Sequence, residues 1–232
     1  AASSDYPLRD VYKRQFSLFT ENPEPQAKPK KQAKMIKISI FYFEHSTKCT
    51  IFEIETEGME IKILKVSTDE LIGATIRDGK SIKLPSMQDG WRFNFEKLSK
   101  TIQNAETYVL VTNESPHIVE GCVIVQLIEK KIPYMAYLEV APHNQTNPKR
   151  YDYIAGCLIA FAFKLSVQKG KGIYQAQLFF DVQEENDDIS KKLIYVYRSK
   201  YGALLMGETT LVIMDEAGYK LIKKYLERQF KD

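Results

Sequence analysis

The chain has 232 residues, of which 44% are hydrophobic and 12% aromatic, and this composition can bury one sizeable core. Residues 1–34 carry seven basic and four acidic side chains, so this stretch accounts for the whole formal net charge of +3. Residues 35–232 are therefore formally neutral, which argues against a nucleic-acid-binding face on that part. No apolar run reaches the roughly 18 residues that a membrane-spanning helix needs.

The first 34 residues differ from the rest in composition. The segment Asp10–Gln15 matches the in-frame translation of a transposon mosaic end used in sequencing libraries, so we interpret residues 1–15 as an assembly scar. Residues 16–34 are rich in Pro and Lys and predict a disordered linker, with Met35 as the native start. A real basic tail is the alternative interpretation. We expect residues 35–232 to form a single domain.

The cysteines indicate a reducing compartment. Cys49, Cys122 and Cys157 are odd in number and far apart, and none belongs to a Cys-x-x-Cys pair or a Cys/His cluster. This spacing disfavours a disulfide framework and predicts no metal site. We therefore expect a cytoplasmic protein.

The first half of this domain predicts strands followed by a loop and a short helix. Strand-like β-branched and aromatic content occurs in Ile36–Tyr42 and Thr50–Glu55, and Met59–Val66 alternates with period two. Lys80–Gly90 is loop-like, and Trp91–Ala105 leads into a short helix. Residues 59–105 contain no motif that we can assign.

The second half has a clearer order of elements. Three strands with short connections, Glu106–Thr112, Gly121–Ile128 and Ala136–Val140, predict an antiparallel meander. A polar loop to Arg150 then feeds a helix that buries almost its whole circumference. This helix ends near Gly170 and Gly172, which suit a left-handed C-cap.

The remaining elements are a strand, a helix, a closing strand, a turn and a C-terminal helix: Ile173–Val182, Ile189–Lys200, Ala203–Met214, Asp215–Gly218 and Tyr219–Phe230. The buried helix crosses over between the strands ending at Val140 and starting at Ile173, so these two strands should be parallel. The fold class is therefore α/β (α+β), with a mixed, mainly antiparallel central sheet flanked by helices.

Residues 106–214 resemble the acetyl-CoA-binding region of GNAT N-acetyltransferases. Arg150-Tyr151-Asp152-Tyr153-Ile154-Ala155 is similar to the family pattern Arg/Gln-x-x-Gly-x-Gly/Ala, with Tyr153 at the first glycine and Gly156 one place late. Val140-Ala141-Pro142 resembles the Val-x-Pro at a strand end, and Tyr197–Ala203 resembles a Tyr-x-x-x-Gly-Phe ending with one extra residue. The sequence outside these motifs also resembles an uncharacterised acetyltransferase-like family of Bacteroides-type bacteria.

The resemblance implies a GNAT-like acyl-CoA N-acyltransferase fold with acetyl-CoA as co-substrate. The backbone N–H groups near Leu138 and Val140 would bind the thioester oxygen. The start of the buried helix would bind the pyrophosphate, because its first N–H groups lack partners within the helix. The residues implied there are Arg150, Tyr151, Asp152, Tyr153, Ile154, Ala155 and Gly156.

Two side chains are implied in catalysis. Tyr197 would be the general acid that protonates the CoA sulfur, with Tyr195 as a rival on the same helix. Glu139 would be the base that deprotonates the amine, directly or through water, with Asp181 as a weaker candidate. His143 and Asn144 are interpreted as ordinary turn residues.

The function implied is acetyl transfer from acetyl-CoA to a primary amine, on a small molecule or a protein. Residues 35–105 would shape the acceptor side and residues 106–214 the cofactor side. The alternative is a catalytically inactive GNAT-fold module that binds a protein or nucleic acid partner, which Tyr153 favours. An exposed closing strand near 203–214 could pair with a second subunit in a homodimer.

Overall fold

The computed structural model describes residues 58–184 and 186–228. The tail, Cys49 and the two strands predicted for Ile36–Tyr42 and Thr50–Glu55 lie outside these residues. The strands of the described part are β1 (Met59–Lys65), β2 (Glu70–Asp78), β3 (Ala105–Thr112), β4 (Val119–Ile128), β5 (Ile132–Val140), β6 (Tyr151–Asp152), β7 (Gln177–Asp181), β8 (Leu204–Leu205) and β9 (Thr210–Met214).

The helices of the described part are α1 (Phe95–Thr101), α2 (Ile154–Lys169), α3 (Asp187–Tyr201) and α4 (Asp215–Leu221), which continues into a π-helical turn, Ile222–Leu226. Short 3-10 turns occupy Gly79–Ser81, Met87–Asp89, Pro142–Asn144 and Gly172–Tyr174. No helix in this part of the chain is long and apolar enough to cross a bilayer.

All of the described strands belong to one sheet, in the order β6–β1–β2–β3–β4–β5–β7–β9–β8. Every neighbouring pair within it is antiparallel except β5 with β7, which is parallel. The predicted mixed, mainly antiparallel sheet is therefore confirmed. The meander β3–β4–β5 and the parallel pairing across the helical crossover are confirmed with it.

The two faces of the sheet bury separate apolar clusters. Along β3, Tyr108 and Leu110 belong to one cluster, whereas Val109 and Val111 belong to the other. Successive side chains of a strand point to opposite faces, so the clusters lie on opposite sides of the sheet. Helix α2 covers the first face, and Trp91 with α1 covers the second.

Helix α2 is buried nearly all round, as its sequence predicts. Eleven of its sixteen residues are buried, including Phe161 and Phe163. Gly121 on β4 allows this close approach, because a methyl group added there would lie 2.5 Å from Ile154 Cγ2 and 2.8 Å from Leu158 Cδ1. The apolar burial therefore fixes the height of α2 above β4.

Several predicted elements differ from the structure. Strand β2 was not predicted, because Gly73 and Ala74 weaken its hydrophobic pattern. Gly73 leaves room for the side chain of Asn113, which a Cβ atom at that position would overlap. The predicted closing strand is a hairpin, β8 and β9, and the predicted turn 215–218 is the acidic first turn of α4. The left-handed glycine is Gly172 (φ 58°), whereas Gly170 has a φ of −62°.

Candidate active site

A gap opens between β5 and β7 at their carboxyl ends. The two strands pair at a single position, Tyr134 with Phe179. Beyond it, Met135 and Tyr137–Val140 stay paired with β4 on one edge but have no strand partner on the β7 edge within the described residues. A parallel pair that separates in this way leaves a row of main-chain donors and acceptors facing an opening.

The register shows which donors face the gap. Ala141 N donates to Glu120 O over 2.9 Å, on the β4 side. Because successive N–H groups of a strand point to alternate edges, the N–H groups of Val140 and Leu138 point to the β7 side. These residues are half-buried. The main chain at both predicted thioester contacts is therefore directed into the gap.

Glu139 lies on the second face of the sheet and is only 7% exposed. Its Oε1 accepts from Arg92 N over 2.8 Å and its Oε2 accepts from Phe93 N over 3.1 Å. Gln145 Nε2 donates to Val140 O over 2.7 Å and lies 3.3 Å from Glu139 Oε1. Both carboxylate oxygens of the predicted base thus hold the segment after the 87–89 turn against the end of β5.

Arg92 bridges the mouth of the gap. Its main chain is bound by Glu139 on β5, and its Nη1 lies 2.6 Å from Oε2 and 2.8 Å from Oε1 of Glu184, which follows β7. The Glu184 side chain is 16% exposed, so this ion pair is partly screened from water. One residue therefore ties together the two strand ends that diverge.

Tyr197 lies on the β7 side of the gap. Its ring packs on Phe180 of β7 at 4.8 Å between centroids and on Tyr201 at 5.8 Å. Burial, with a smaller contribution from the Glu184 carboxylate, raises the pKa of Tyr197 to about 12. The phenol is therefore protonated throughout the neutral range. The rival Tyr195 is 71% exposed, on another face of α3.

Tyr197 packs through Phe180 on the first face of the sheet, whereas Glu139 lies on its second face, and Arg92 links Glu139 to Glu184 beyond β7. Asp181, the weaker candidate base, is already engaged at the end of β7. Its Oδ2 accepts from Tyr134 Oη over 2.7 Å, and its Oδ1 accepts from Thr210 Oγ1 over 2.6 Å. This carboxylate links β7 to the strands on both sides.

The start of α2 follows a left-handed turn of the main chain. Tyr153 precedes the helix with φ 74° and ψ −4°, a left-handed conformation that favours glycine. Its N–H donates to Asp152 Oδ1 over 2.7 Å. The first intrahelical bond runs from Cys157 N to Tyr153 O, so no helix carbonyl accepts from the three N–H groups before Cys157.

Side chains from the C-terminal segment cover this helix start. The Tyr225 ring packs on Tyr153 at 6.3 Å, and the Arg228 guanidinium lies 3.9 Å from the Tyr153 ring centroid. A methyl group added at Gly156 would overlap the Tyr225 ring. The glycine that stands one place late in the motif therefore makes room for a tyrosine of the same chain.

The other residues implied at this end lie beside the helix start. Tyr151 and Asp152 form β6, which pairs with the outer edge of β1. Tyr151 is 1% exposed, and the Arg150 guanidinium stacks 5.1 Å from the centroid of its ring. Lys149 Nζ lies 3.8 Å from Asp152 Oδ1. Arg150–Gly156 are therefore together in space, but separate from Tyr197 and Glu139.

A buried cluster that the sequence did not reveal lies at the end of β4. Glu120 is fully buried, and its Oε2 accepts from Asn144 Nδ2 over 2.7 Å and bonds His143 Nε2 over 2.6 Å. Asn144 Oδ1 accepts from Tyr151 N over 2.8 Å. Glu120 Oε1 has no partner among the described residues. A charged residue directly before the apolar run of β4 is the one sequence signal for this cluster.

A cavity of about 290 Å³ lies at the opposite end of α2, between Glu106, Lys130, Lys169 and Lys171. None of the predicted site residues lines it. Its lysines lie near the C-terminal end of α2, where cations match the partial negative charge of the helix. Within residues 58–184 and 186–228, no group of three His, Cys, Asp or Glu side chains is arranged to hold a metal ion.

Comparison with solved structures finds distant similarity to acetyltransferases. A GNAT family acetyltransferase from Elizabethkingia anophelis, with acetyl-CoA bound, is 13% identical, covers 61% of this chain and 98% of its own, and has a TM-score of 0.38. The spermidine/spermine N-acetyltransferase of Vibrio cholerae is 13% identical, with coverages of 65% and 97% and a TM-score of 0.40.

A protein from Bacillus halodurans is 8% identical, with coverages of 74% and 98% and a TM-score of 0.44. No family model matches the chain. No curated protein matches it either.

Proposed function

We propose that the protein is an acetyl-CoA-dependent N-acetyltransferase that acts on a primary amine of a small molecule or a protein. One observation carries this proposal: β5 and β7 are parallel, pair only at Tyr134 and Phe179, and then separate. The opening between them can hold an extended pantetheine arm, whose amides would bond the free edge of β5.

At the thioester end, the N–H groups of Leu138 and Val140 would bind the carbonyl oxygen. Their fixed direction into the gap supports this role, because preorganised main-chain donors stabilise the negative charge that develops on that oxygen. Tyr197 would protonate the leaving thiolate; its contact with Phe180 on the β7 side of the gap supports this role, whereas its raised pKa makes it a weaker acid than a free phenol. Glu139 stays a prediction as the base.

At the pyrophosphate end, the N–H groups of Ile154, Ala155 and Gly156 would face the phosphates at the start of α2. Lys149 and Arg150 lie beside this start, and Arg228 lies over Tyr153. These cations would offset the charge of the ligand. Residues 106–214 would thus form the cofactor side, and the loop at Arg92 and Phe93 belongs to the acceptor side.

The alternative is a GNAT-like module that lacks catalysis and binds a protein or nucleic acid partner. A specific observation favours it: Tyr153, Tyr225 and Arg228 cover the helix start where the pyrophosphate would bind. We also infer a cytoplasmic protein, since Cys122 and Cys157 are free. Exposed Leu204 and Leu205 on the edge strand β8 would suit a homodimer.

Thermal and chemical unfolding with and without acetyl-CoA tests the two functions. A ligand at 100 times its Kd adds about 2.7 kcal/mol to the free energy of unfolding. Stabilisation by acetyl-CoA and not by acetate supports the enzyme. An unchanged midpoint at millimolar acetyl-CoA rejects it and leaves the binding module.

If acetyl-CoA binds, the general acid is tested by Tyr197→Phe against Tyr195→Phe, with release of free CoA thiol as the measurement. We expect Tyr197→Phe to lower kcat about 10²-fold or more and Tyr195→Phe to leave it unchanged. Equal activity of both variants and the unmodified protein would remove Tyr197 from the mechanism.

A further inference from the structure

The buried carboxylate Glu120 and the imidazole of His143 form a pair that the proposed function has not used. Oxygen Oε2 accepts from Asn144 Nδ2 and lies 2.6 Å from His143 Nε2. Opposite the carboxylate form of Glu120, Nε2 is the ring nitrogen that donates, because a carboxylate only accepts. Nδ1 of a neutral His143 is left with its lone pair, and the side chain is 43% exposed.

Surroundings of this kind orient an imidazole as a proton acceptor. A buried carboxylate fixes the tautomer and stabilises the imidazolium that forms when the ring takes a proton. Glu120 has no water-exposed surface, and its second oxygen has no partner among the described residues. The carboxylate of the pair is therefore shielded from water, while the imidazole is partly exposed.

The pair lies on the acceptor side of the sheet. Ala141 belongs to the cluster under Trp91 and α1, and Glu120 lies on the same face because it is directly opposite Ala141, whose N–H donates to its carbonyl oxygen. The 142–144 turn packs near Gly90, where an added methyl group would lie 3.7 Å from Pro142 Cγ. His143 thus borders the segment that Glu139 holds against β5.

Glu139 and His143 differ in whether they can accept a proton without losing hydrogen bonds that they already make. Both oxygens of Glu139 accept main-chain N–H groups, from Arg92 and Phe93, over 2.8 and 3.1 Å. A proton on Glu139 would cost at least one of these bonds, whereas Nδ1 of His143 can take a proton and keep the bond to Glu120. The better base of the two is therefore the histidine.

We propose that His143, oriented by Glu120, takes the proton from the acceptor amine, an inference that rests on the proposed acetyl transfer. The amine lone pair forms the C–N bond, and the C–S bond breaks with its electron pair leaving on sulfur. His143 Nδ1 accepts the amine proton, directly or through a water. The CoA thiolate takes a proton from Tyr197 or from solvent. Glu120 is a positioning residue, and Glu139 holds the acceptor loop.

The first experiment needs no cofactor. Diethyl pyrocarbonate acylates basic imidazole nitrogens, and peptide mass spectrometry gives the rate at each histidine. His117 is the matched control, because it lies exposed in the β3–β4 turn. We expect His143 to react faster than His117, although both are exposed, and Glu120→Gln to slow His143 to the rate of His117 or below. A His143 no faster than His117 overturns the pairing.

The second experiment measures turnover with acetyl-CoA and three probe amines, namely spermidine, benzylamine and a lysine-containing tetrapeptide. His143→Ala should lower kcat about 10²-fold or more on an amine that the unmodified protein accepts. The acetyl-CoA Kd should stay within about twofold, and added imidazole should restore part of the rate, which a purely structural role would not allow. His117→Ala should match the unmodified protein.

The outcomes distinguish a failure of His143 as the base from a failure of the proposed acetyl transfer. Absent acetyl-CoA binding to the unmodified protein rejects the transferase, and the acylation rates alone then judge the histidine pair. If acetyl-CoA binds and is turned over, a His143→Ala variant within threefold of the unmodified protein rejects His143 as the base. A loss in Glu139→Gln without a loss in His143→Ala returns that role to Glu139.

Discussion

The two ends of the proposed cofactor path are built in different ways. At the thioester end, β5 and β7 separate and leave the N–H groups of Leu138 and Val140 facing an opening. At the pyrophosphate end, the left-handed turn at Tyr153 is present, but Tyr225 and Arg228 lie over it. One end is made by the main chain, with the Arg92–Glu184 ion pair across its mouth, whereas the other is covered by aromatic and arginine side chains.

This difference separates features set by the main chain from features set by side chains. Strand order and register set the direction of main-chain donors, whatever side chains the strands carry. The cover over the start of α2 depends on particular side chains, those of Tyr225 and Arg228. The thioester end therefore carries more of the support for the proposed function than the covered end, and each end can be tested separately.

The largest expected effect is a loss of stability at high pH, which comes from the burial of Tyr197 near the thioester end. Its pKa is raised from 10.0 to about 12, so the folded state holds this proton more tightly than the unfolded state. The stabilisation is present below pH 10 and is lost as pH rises toward 12. Two pKa units at about 1.4 kcal/mol each give at most about 2.7 kcal/mol.

Urea unfolding between pH 9 and 12 measures this loss. Tyr197→Phe should lose less stability across the range than the unmodified protein, because it has no such proton to release. Tyr195→Phe, at the exposed tyrosine of the same helix, should follow the unmodified protein. Parallel curves of unfolding free energy against pH for all three proteins would show that Tyr197 is exposed to water. The side chains on the β7 side of the gap would then not be tightly packed.

The second effect concerns the covered end. Gly156→Ala would place a methyl group into the Tyr225 ring, and overpacking of this kind costs about 1–3 kcal/mol. Gly207→Ala is the control, since its added methyl group would meet only Thr210 Oγ1, at 4.0 Å. Chemical unfolding gives both values. Equal stability of the two variants would mean that Tyr225 moves aside easily and that the helix start is accessible.

The smallest expected effect is a change in ligand affinity at the pyrophosphate end, and a truncated ligand distinguishes it from an effect at the thioester end. Arg228→Gln removes a cation near the start of α2, which is worth about 0.3–1 kcal/mol toward a bound anion, or a two- to fivefold change in Kd. Calorimetry should show this loss with acetyl-CoA and no change with acetyl-pantetheine, which lacks the pyrophosphate. Arg198→Gln, at an exposed arginine of α3, is the control.

Tighter acetyl-CoA binding by Arg228→Gln would contradict this expectation. It would show that Arg228 belongs to the cover and competes with the ligand for the helix start. The comparison between the two ends would then become sharper, because the covered end would oppose binding.

Much of the sheet could be predicted from the sequence because its pattern is local. The meander from Glu106 to Val140 has apolar runs with short turns, and the crossover through α2 then requires a parallel neighbour. Strand β2 could not be predicted in the same way, since Glu70–Asp78 acquires its conformation by pairing with β1 and β3. Side-chain pattern was a poor guide where tertiary pairing decided the structure.

Near the proposed site, only main-chain features could be predicted from the sequence. The end of β5 at Val140 and a helix after the polar loop were predicted, because they depend on local pattern, and the roles of Leu138, Val140 and the helix start stay predictions. The role of Gly156 depends on Tyr225, 69 residues later, and the setting of Glu120 depends on a turn more than 20 residues away. Contacts between such distant positions leave no local pattern in a single sequence.

The lone pairing of Tyr134 with Phe179 also divides the sheet into two cooperative blocks. Of the described strands, six lie on the β5 side and three on the β7 side, and neighbouring strands within each block are antiparallel and pair at two or more positions. Sub-global opening breaks the fewest ladder bonds at such a seam. We expect β7, β8 and β9 to exchange their amide hydrogens as one foldon, and a molecule lying in the gap would join the two blocks into one.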